Sequence, residues 1–225
     1  MTIPAASINT KNLTPTFDPQ TSIHPVFQFS SLKDPTIENQ MAYFGHPILR
    51  RQADPIPYIN QDILELIDFM KQSLLYQKGL GIAAPQIGVS LSIFITCFPN
   101  LTTNGKTISL QPPKVFINPI VSDPSAELFE TRDGCLSIPE LIGKKTTRPK
   151  TVTVSYYDET GTYYTEQFTD WPAKVILHES DHLKGVLFID HLSPKDQEEI
   201  KKTLNDIENT YRTHNEHLAT WPVCT

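Results

Sequence analysis

The chain has 225 residues, enough for one ordinary domain and short for two. Hydrophobic residues make up 39% and charged residues 20%, and the formal net charge of −6 argues against general nucleic-acid binding. No apolar run approaches the ~20 residues of a membrane span. The three cysteines, Cys97, Cys135 and Cys224, are too few for a disulfide framework, so a reducing compartment fits.

Residues 1–40 are rich in Thr, Ser, Asn, Pro and Gln and carry no periodic apolar pattern. They lack the basic start and continuous apolar core of a secretory signal, and two lysines without arginine make a poor mitochondrial transit peptide. The expectation is an extension lying loosely on the domain of a cytoplasmic protein. Asn60 is a helix N-cap, with Ile63, Ile67, Met70 and Leu74 forming an apolar stripe that ends near Lys78–Gly79. Residues 90–98 and 114–121 are short and β-branched, the pattern of buried strands. Residues 151–158 and 162–168 alternate about a Glu-Thr-Gly turn and predict a hairpin. A second helix is expected from Pro172 to Gly185, then a short strand before the last helix. The last helix begins near Ser193–Pro194 with Ile200, Leu204, Ile207 and Tyr211 on one face. With no internal repeat, this order predicts an α+β domain: a mainly antiparallel sheet around a central helix, with a helix near each end.

The second helix carries His178-Glu179-Ser180-Asp181-His182, an HExxH pattern. Histidines four apart share one helical face, where both rings can reach one metal ion. Apolar residues on both sides bury this helix, and buried histidines and glutamates need partners. A metzincin histidine would fall at Phe188, which cannot ligate, and His191 lies three residues too late. A thermolysin-like glutamate would have to be Glu198 or Glu199, in a lysine-rich run that reads as a solvated face. Cys135, after a glycine and shortly before Ser137 and Pro139, reads as a turn residue; with the two histidines it leaves a fourth position open for water. The alternative is a small buried thiol. Gly79 to Gly88 resembles a phosphate cradle only superficially, because no strand feeding a helix and no Lys-Ser or Lys-Thr pair is evident. Its small residues instead let backbone approach a ligand, and Gln86 can aim an amide into the site.

Together these stretches resemble the signature set of peptide deformylases. Gly79 to Gln86 is similar to that family's Gly-x-Gly-x-Ala-Ala-x-Gln stretch. Asp133-Gly134-Cys135-Leu136-Ser137 resembles its Glu-Gly-Cys-x-Ser, and His178 to His182 its His-Glu-x-Asp-His helix. The resemblance covers roughly residues 41–210, which divides the chain into an extension (1–40), a catalytic domain (41–214) and a tail (215–225).

The resemblance implies removal of the formyl group from formylmethionine at the start of new polypeptides. It implies that Cys135, His178 and His182 hold a divalent metal and its water, whose pKa falls from 15.7 to about 7. Glu179 points about 100° around the helix from His178, placed to move a proton rather than to ligate. Gln86 and the Leu136 N–H would stabilise the oxyanion, while Leu80, Gly81 and Gly134 bind substrate backbone. Ligand rules suit Zn2+, whereas the resemblance implies Fe2+ in the cell, with zinc or nickel (Ni2+) frequent in purified protein. It further implies ribosome contact through the C-terminal helix, which here offers Lys195, Lys201, Lys202 and Arg212 amid several acids.

Two positions depart from the pattern. Asp133 is one methylene shorter than the family's glutamate, expected to brace the cysteine turn against Arg148, and Leu177 replaces a glutamine. If Asp133 falls short, the cysteine turn is looser and turnover slower. Asp181 is expected to orient a histidine or cap backbone. Two rival readings follow: a low-activity paralogue that binds formyl peptides or a partner, and a metal peptidase.

Overall fold

The computed structural model describes residues 27–31, 40–101 and 107–221. Helix α1 spans Gln61–Tyr76, and the Asn60 side chain accepts from the Ile63 N–H at 3.0 Å, as the sequence predicted. The left-handed residue that ends it is Lys78 (φ 55°), one position before the expected glycine.

Among the described residues nine strands follow. Five form an antiparallel sheet in the order β1 (Gly81–Ala83), β2 (Ile93–Thr96), β5 (Lys114–Ser122), β8 (Thr151–Tyr157) and β9 (Tyr163–Thr169). Two ribbons, β3 (Pro99–Leu101) with β4 (Thr107–Leu110) and β6 (Leu128–Arg132) with β7 (Lys145–Pro149), stand apart. β1 overturns the expectation that no strand enters a helix near Gly79, since it runs into a short 3-10 helix at Ala84–Ile87. With no Lys-Ser or Lys-Thr pair, it still makes no phosphate cradle.

Both faces of this sheet are covered, which explains why β2 and the start of β5 read as unbroken apolar runs. Ile82, Ile93, Ile95, Val115 and Ile117 meet the α1 stripe of Ile63, Ile67, Met70 and Leu74. Their neighbours Ala83, Phe94 and Phe116 point the other way, onto Ala173, Val175 and Ile176 of helix α2. α2 spans Asp170–His182, so Pro172 is its third residue and the helix stops before Gly185. In place of the short strand expected between the last two helices there is a turn and a 3-10 helix, Phe188–His191, where Asp190 Oδ2 accepts from the Leu187 N–H at 2.8 Å.

Helix α3 spans Pro194–His217, with Ile200 and Ile207 buried against Ile48, Leu49, Phe188 and Leu192. Beyond it, Trp221 pairs with Val89, and the Gln40 amide donates to the carbonyls of Ile87 and Ala219 (2.8 and 2.9 Å). Most of the expected extension and Cys224 lie outside the described residues; Phe27 is buried edge-on to Trp221. Among the described residues no helix is long and apolar enough to cross a membrane.

The α2 layer rests on Phe116, fully buried between Phe94 (4.6 Å between ring centroids) and Tyr156 (4.4 Å). Phe116→Ala should lower stability by about 3–5 kcal/mol in urea unfolding, and a loss under about 1 kcal/mol would contradict this packing.

Candidate metal centre

Three elements bring the site together. α2 presents His178 and His182 from one face, with ring centroids 5.1 Å apart. The loop from β6 to β7 presents Cys135, held by a tight turn in which the Ile138 N–H donates to the Cys135 carbonyl (3.0 Å). β1 and the 3-10 helix after it present Gly81 and Gln86. The thiol and one ring nitrogen from each histidine lie within 4.8 Å of one another, all three residues buried.

This donor set fits a metal ion. Cys135 Sγ lies 3.2 Å from His182 Nε2, close to the roughly 3.5 Å edge of a tetrahedral site with ordinary metal–sulfur and metal–nitrogen bonds. Without a cation the cluster is electrostatically awkward. Burial lowers the pKa of both histidines, yet hydrogen bonds to Asp133 and Cys135 drive His178 the other way, well above the ordinary imidazole range. His182 falls well below it, through burial and the neighbouring His178.

Asp133 sits behind His178, 6% exposed. Its Oδ1 is 3.1 Å from His178 Nδ1 and accepts from the Gly134 N–H at 3.0 Å, while Oδ2 accepts from the Thr146 hydroxyl at 2.7 Å. Lys174, one helical turn before His178, brings its buried ammonium within 3.5 Å of the same carboxylate and donates to the Arg132 carbonyl. Burial alone would raise the Asp133 pKa; His178, Lys174 and Thr146 hold it well below the usual carboxylate range. The shorter side chain therefore does reach its partners. Arg148 is not its main brace: the guanidinium stands 4.0 Å away and donates instead to Asp181 at 2.7 Å. Asp181 also takes His191 Nε2 (2.8 Å), so the histidine that it orients is outside the cluster. Leu177 packs beside the apolar layer under α2, where no polar partner is required.

A cavity of about 220 Å³ opens onto this cluster, lined among others by Leu80, Gly81, Gly134, Leu136, Trp171 and Glu179. Gln86 is fixed for donation into it, its Oε1 accepting from the Ala83 N–H (2.8 Å) and its Nε2 turned to Cys135 Sγ (3.5 Å) and Ser137 Oγ (3.3 Å). Glu179 is 4% exposed, and its Oε2 has no hydrogen-bond partner among the described residues. Burial, the largest cause, raises its pKa to about 7; Asp133 and Asp181 add to this against His178 and Arg148. A Cβ built on Gly81 would collide with the Glu179 carboxylate, so this edge of the sheet must be glycine for the acid to face the cavity. Of the residues singled out in the sequence, Leu80, Gly81, Gln86, Asp133, Gly134, Cys135, Leu136, His178 and Glu179 line this one cavity, and His182 completes the cluster beside it. Glu198 and Glu199 are elsewhere, paired with Lys201 and Lys144. Sequence reading missed Lys174, Thr146, Trp171 and Arg132. Lys174 and Trp171, four and seven residues before His178 on one helical face, were findable by spacing; the other two join through the ribbon.

Asp133→Asn should weaken metal affinity by about 10- to 100-fold in chelator competition, since it removes the charge that orients His178. Asp133→Glu should bring no gain, because the extra methylene enters an already filled pocket. Wild-type affinity in the asparagine variant would contradict this role.

Glu179 also predicts a pH dependence. Its folded pKa, about 7, lies above the 4.5 of a free glutamate. Its contribution to stability is therefore full below pH 4.5 and lost as pH rises through 7. Metal-free Glu179→Gln should gain on wild type in urea unfolding across that window. A difference independent of pH would overturn the assignment.

A sequence model of polypeptide deformylase matches residues 39–198. The peptide deformylase of Pseudothermotoga lettingae is 39% identical over 163 residues, 72% of this chain and 88% of that protein. That of Thermotoga maritima is 33% identical, covering 75% of this chain and 96% of its own. Among solved structures, a plant peptide deformylase superposes with a TM-score of 0.70 at 26% identity, covering 80% of this chain and 94% of its own. The Plasmodium falciparum enzyme gives 0.68 at 28% identity, with 77% and 97% covered. The sequence model spans the segment that carries the cluster and its cavity, and relatives of this identity cover more than two thirds of the chain: the chain belongs to the peptide deformylase family.

Proposed function

We propose that this chain hydrolyses the formyl amide of N-terminal formylmethionine in new polypeptides, releasing formate and a free amine. The observation that carries the reading is Glu179: a buried carboxyl of raised pKa, with one unpartnered oxygen, facing a cavity beside a Cys–His–His cluster. Cys135, His178 and His182 would hold a metal ion, which would supply the Lewis acidity that makes water nucleophilic near neutral pH. Glu179 takes the proton from water as it adds to the formyl carbon and gives it to the departing amine. The Gln86 amide and the Leu136 backbone N–H donate to the developing oxyanion, each such donor commonly contributing about 3 kcal/mol. Leu80, Gly81 and Gly134 bind the peptide backbone as an added strand, β1 being the edge of its sheet.

The finer assignments belong to the same proposal. Thiolate and imidazole donors are compatible with Fe2+, the ion we favour in the cell, and also with Zn2+ and Ni2+. The cytoplasm, where thiols stay reduced, suits the free Cys97 and Cys135. Contact of α3 with the ribosome would draw on Lys195, Lys202 and Arg212, with Lys201 already paired with Glu198. The low-activity alternative draws no support from Asp133 or Leu177, which are both accommodated.

Iron-loaded protein should release formate from a formyl-Met peptide without cutting its backbone. Glu179→Ala should lose at least about 100-fold in kcat while retaining its metal, and Cys135→Ser should lose the metal itself. Full activity in the first variant, or full metal occupancy in the second, would contradict these roles.

A further inference from the structure

Among the charged side chains that line the catalytic cavity, Asp133, Lys174, His178 and Glu179 are all buried. Arg132, the last residue of β6, is the one that is exposed, and it has no ion pair among the described residues. Directly across the ribbon it faces Lys145, a like-charge pair that an anion would relieve. Lys145 has its own partner, Glu130 at 2.6 Å, and Lys144 is held by Asp196 (3.0 Å) and Glu199 (2.7 Å). Arg132 also borders a second depression of about 640 Å³, lined by Glu130, Lys144, Lys145, His191 and Asp196, and so stands between it and the cavity. The positive charge left over at this mouth is that of Arg132.

We propose that Arg132 is a specificity-determining residue that favours substrates with an acidic side chain at the second, third or fourth residue. This rests on the deformylase reading. With the formyl group at Glu179, an extended peptide advances about 3.3 Å per residue, so these positions lie within about 13 Å of the reacting carbon. Arg132 ends the strand beside Asp133 and Gly134 and lines the same cavity, within reach of a peptide laid against Gly134. A solvent-exposed charge pair adds modest affinity, and a lysine at the same position is repelled as an aspartate is attracted. The expected preference, aspartate over lysine, is about threefold to tenfold in kcat/KM at low ionic strength.

The test measures formate release from formyl-Met tetrapeptides carrying Asp, Ala or Lys at residue two, three or four. Wild type, Arg132→Lys and Arg132→Glu are assayed in low salt and in about 0.5 M salt. The readout is the Asp-to-Lys ratio within one protein, so a general change in rate cancels. The proposal expects this ratio to reach threefold or more at one position, to persist in Arg132→Lys, to invert in Arg132→Glu and to shrink in high salt. Ratios within twofold at all three positions, or a ratio unchanged in Arg132→Glu, would overturn it. Absence of formate release from every peptide by the wild-type protein would remove the deformylase reading and this inference with it.

Discussion

The hydrogen bond between Asp133 and His178 is the contact on which the site depends, because it joins the loop carrying Cys135 to the helix carrying both histidines. Taking a carboxylate and an ammonium out of water costs several kcal/mol per ion, so the Asp133–Lys174 pair is not there for stability alone. Its partners explain why it is kept. With Thr146, the Gly134 N–H and His178 on one carboxylate, the cysteine turn, β7 and α2 have one mutual arrangement. A donor set fixed in this way need not reorganise when a cation enters it.

The sheet supplies the remaining constraint. Its faces are filled by α1 on one side and α2 on the other, so β1 cannot shift without disturbing both cores. Gly81 is thus held against Glu179 and Gln86 against Cys135, and the acid, the amide donor and the cluster converge on one cavity. Backbone, helix and loop each contribute one kind of chemistry, and none could hold the site alone.

Much of this was legible in the sequence wherever a periodic signal coincided with a cap or a turn. Asn60 and Ser193 announced helices, and the alternation in 151–168 announced a hairpin. The ribbon of β6 and β7 was not legible, because its pattern of charged residues, threonines and a proline looks like loop and its pairing is non-local. Val186–Ile189 has strand composition, but Asp190 caps the chain into a turn instead. The Cys–His–His cluster could be read from two separated stretches. The identity of the brace could not: Asp133 and Arg148 are complementary in charge, yet distance assigns Arg148 to Asp181 and gives Asp133 to His178, Lys174 and Thr146. Charge sign is visible in a sequence, and which of several cations arrives first is not.

The most direct measurement is a crystal structure of the protein loaded with one equivalent of Co2+ or Fe2+ under reducing conditions. The predicted result is a single ion bonded to Cys135 Sγ and to one nitrogen of each of His178 and His182, with Asp133 still on His178 Nδ1 and the Glu179 carboxylate near but unbonded. An ion bonded by Glu179, or seated without Cys135, would contradict the assignment of ligands and proton carrier.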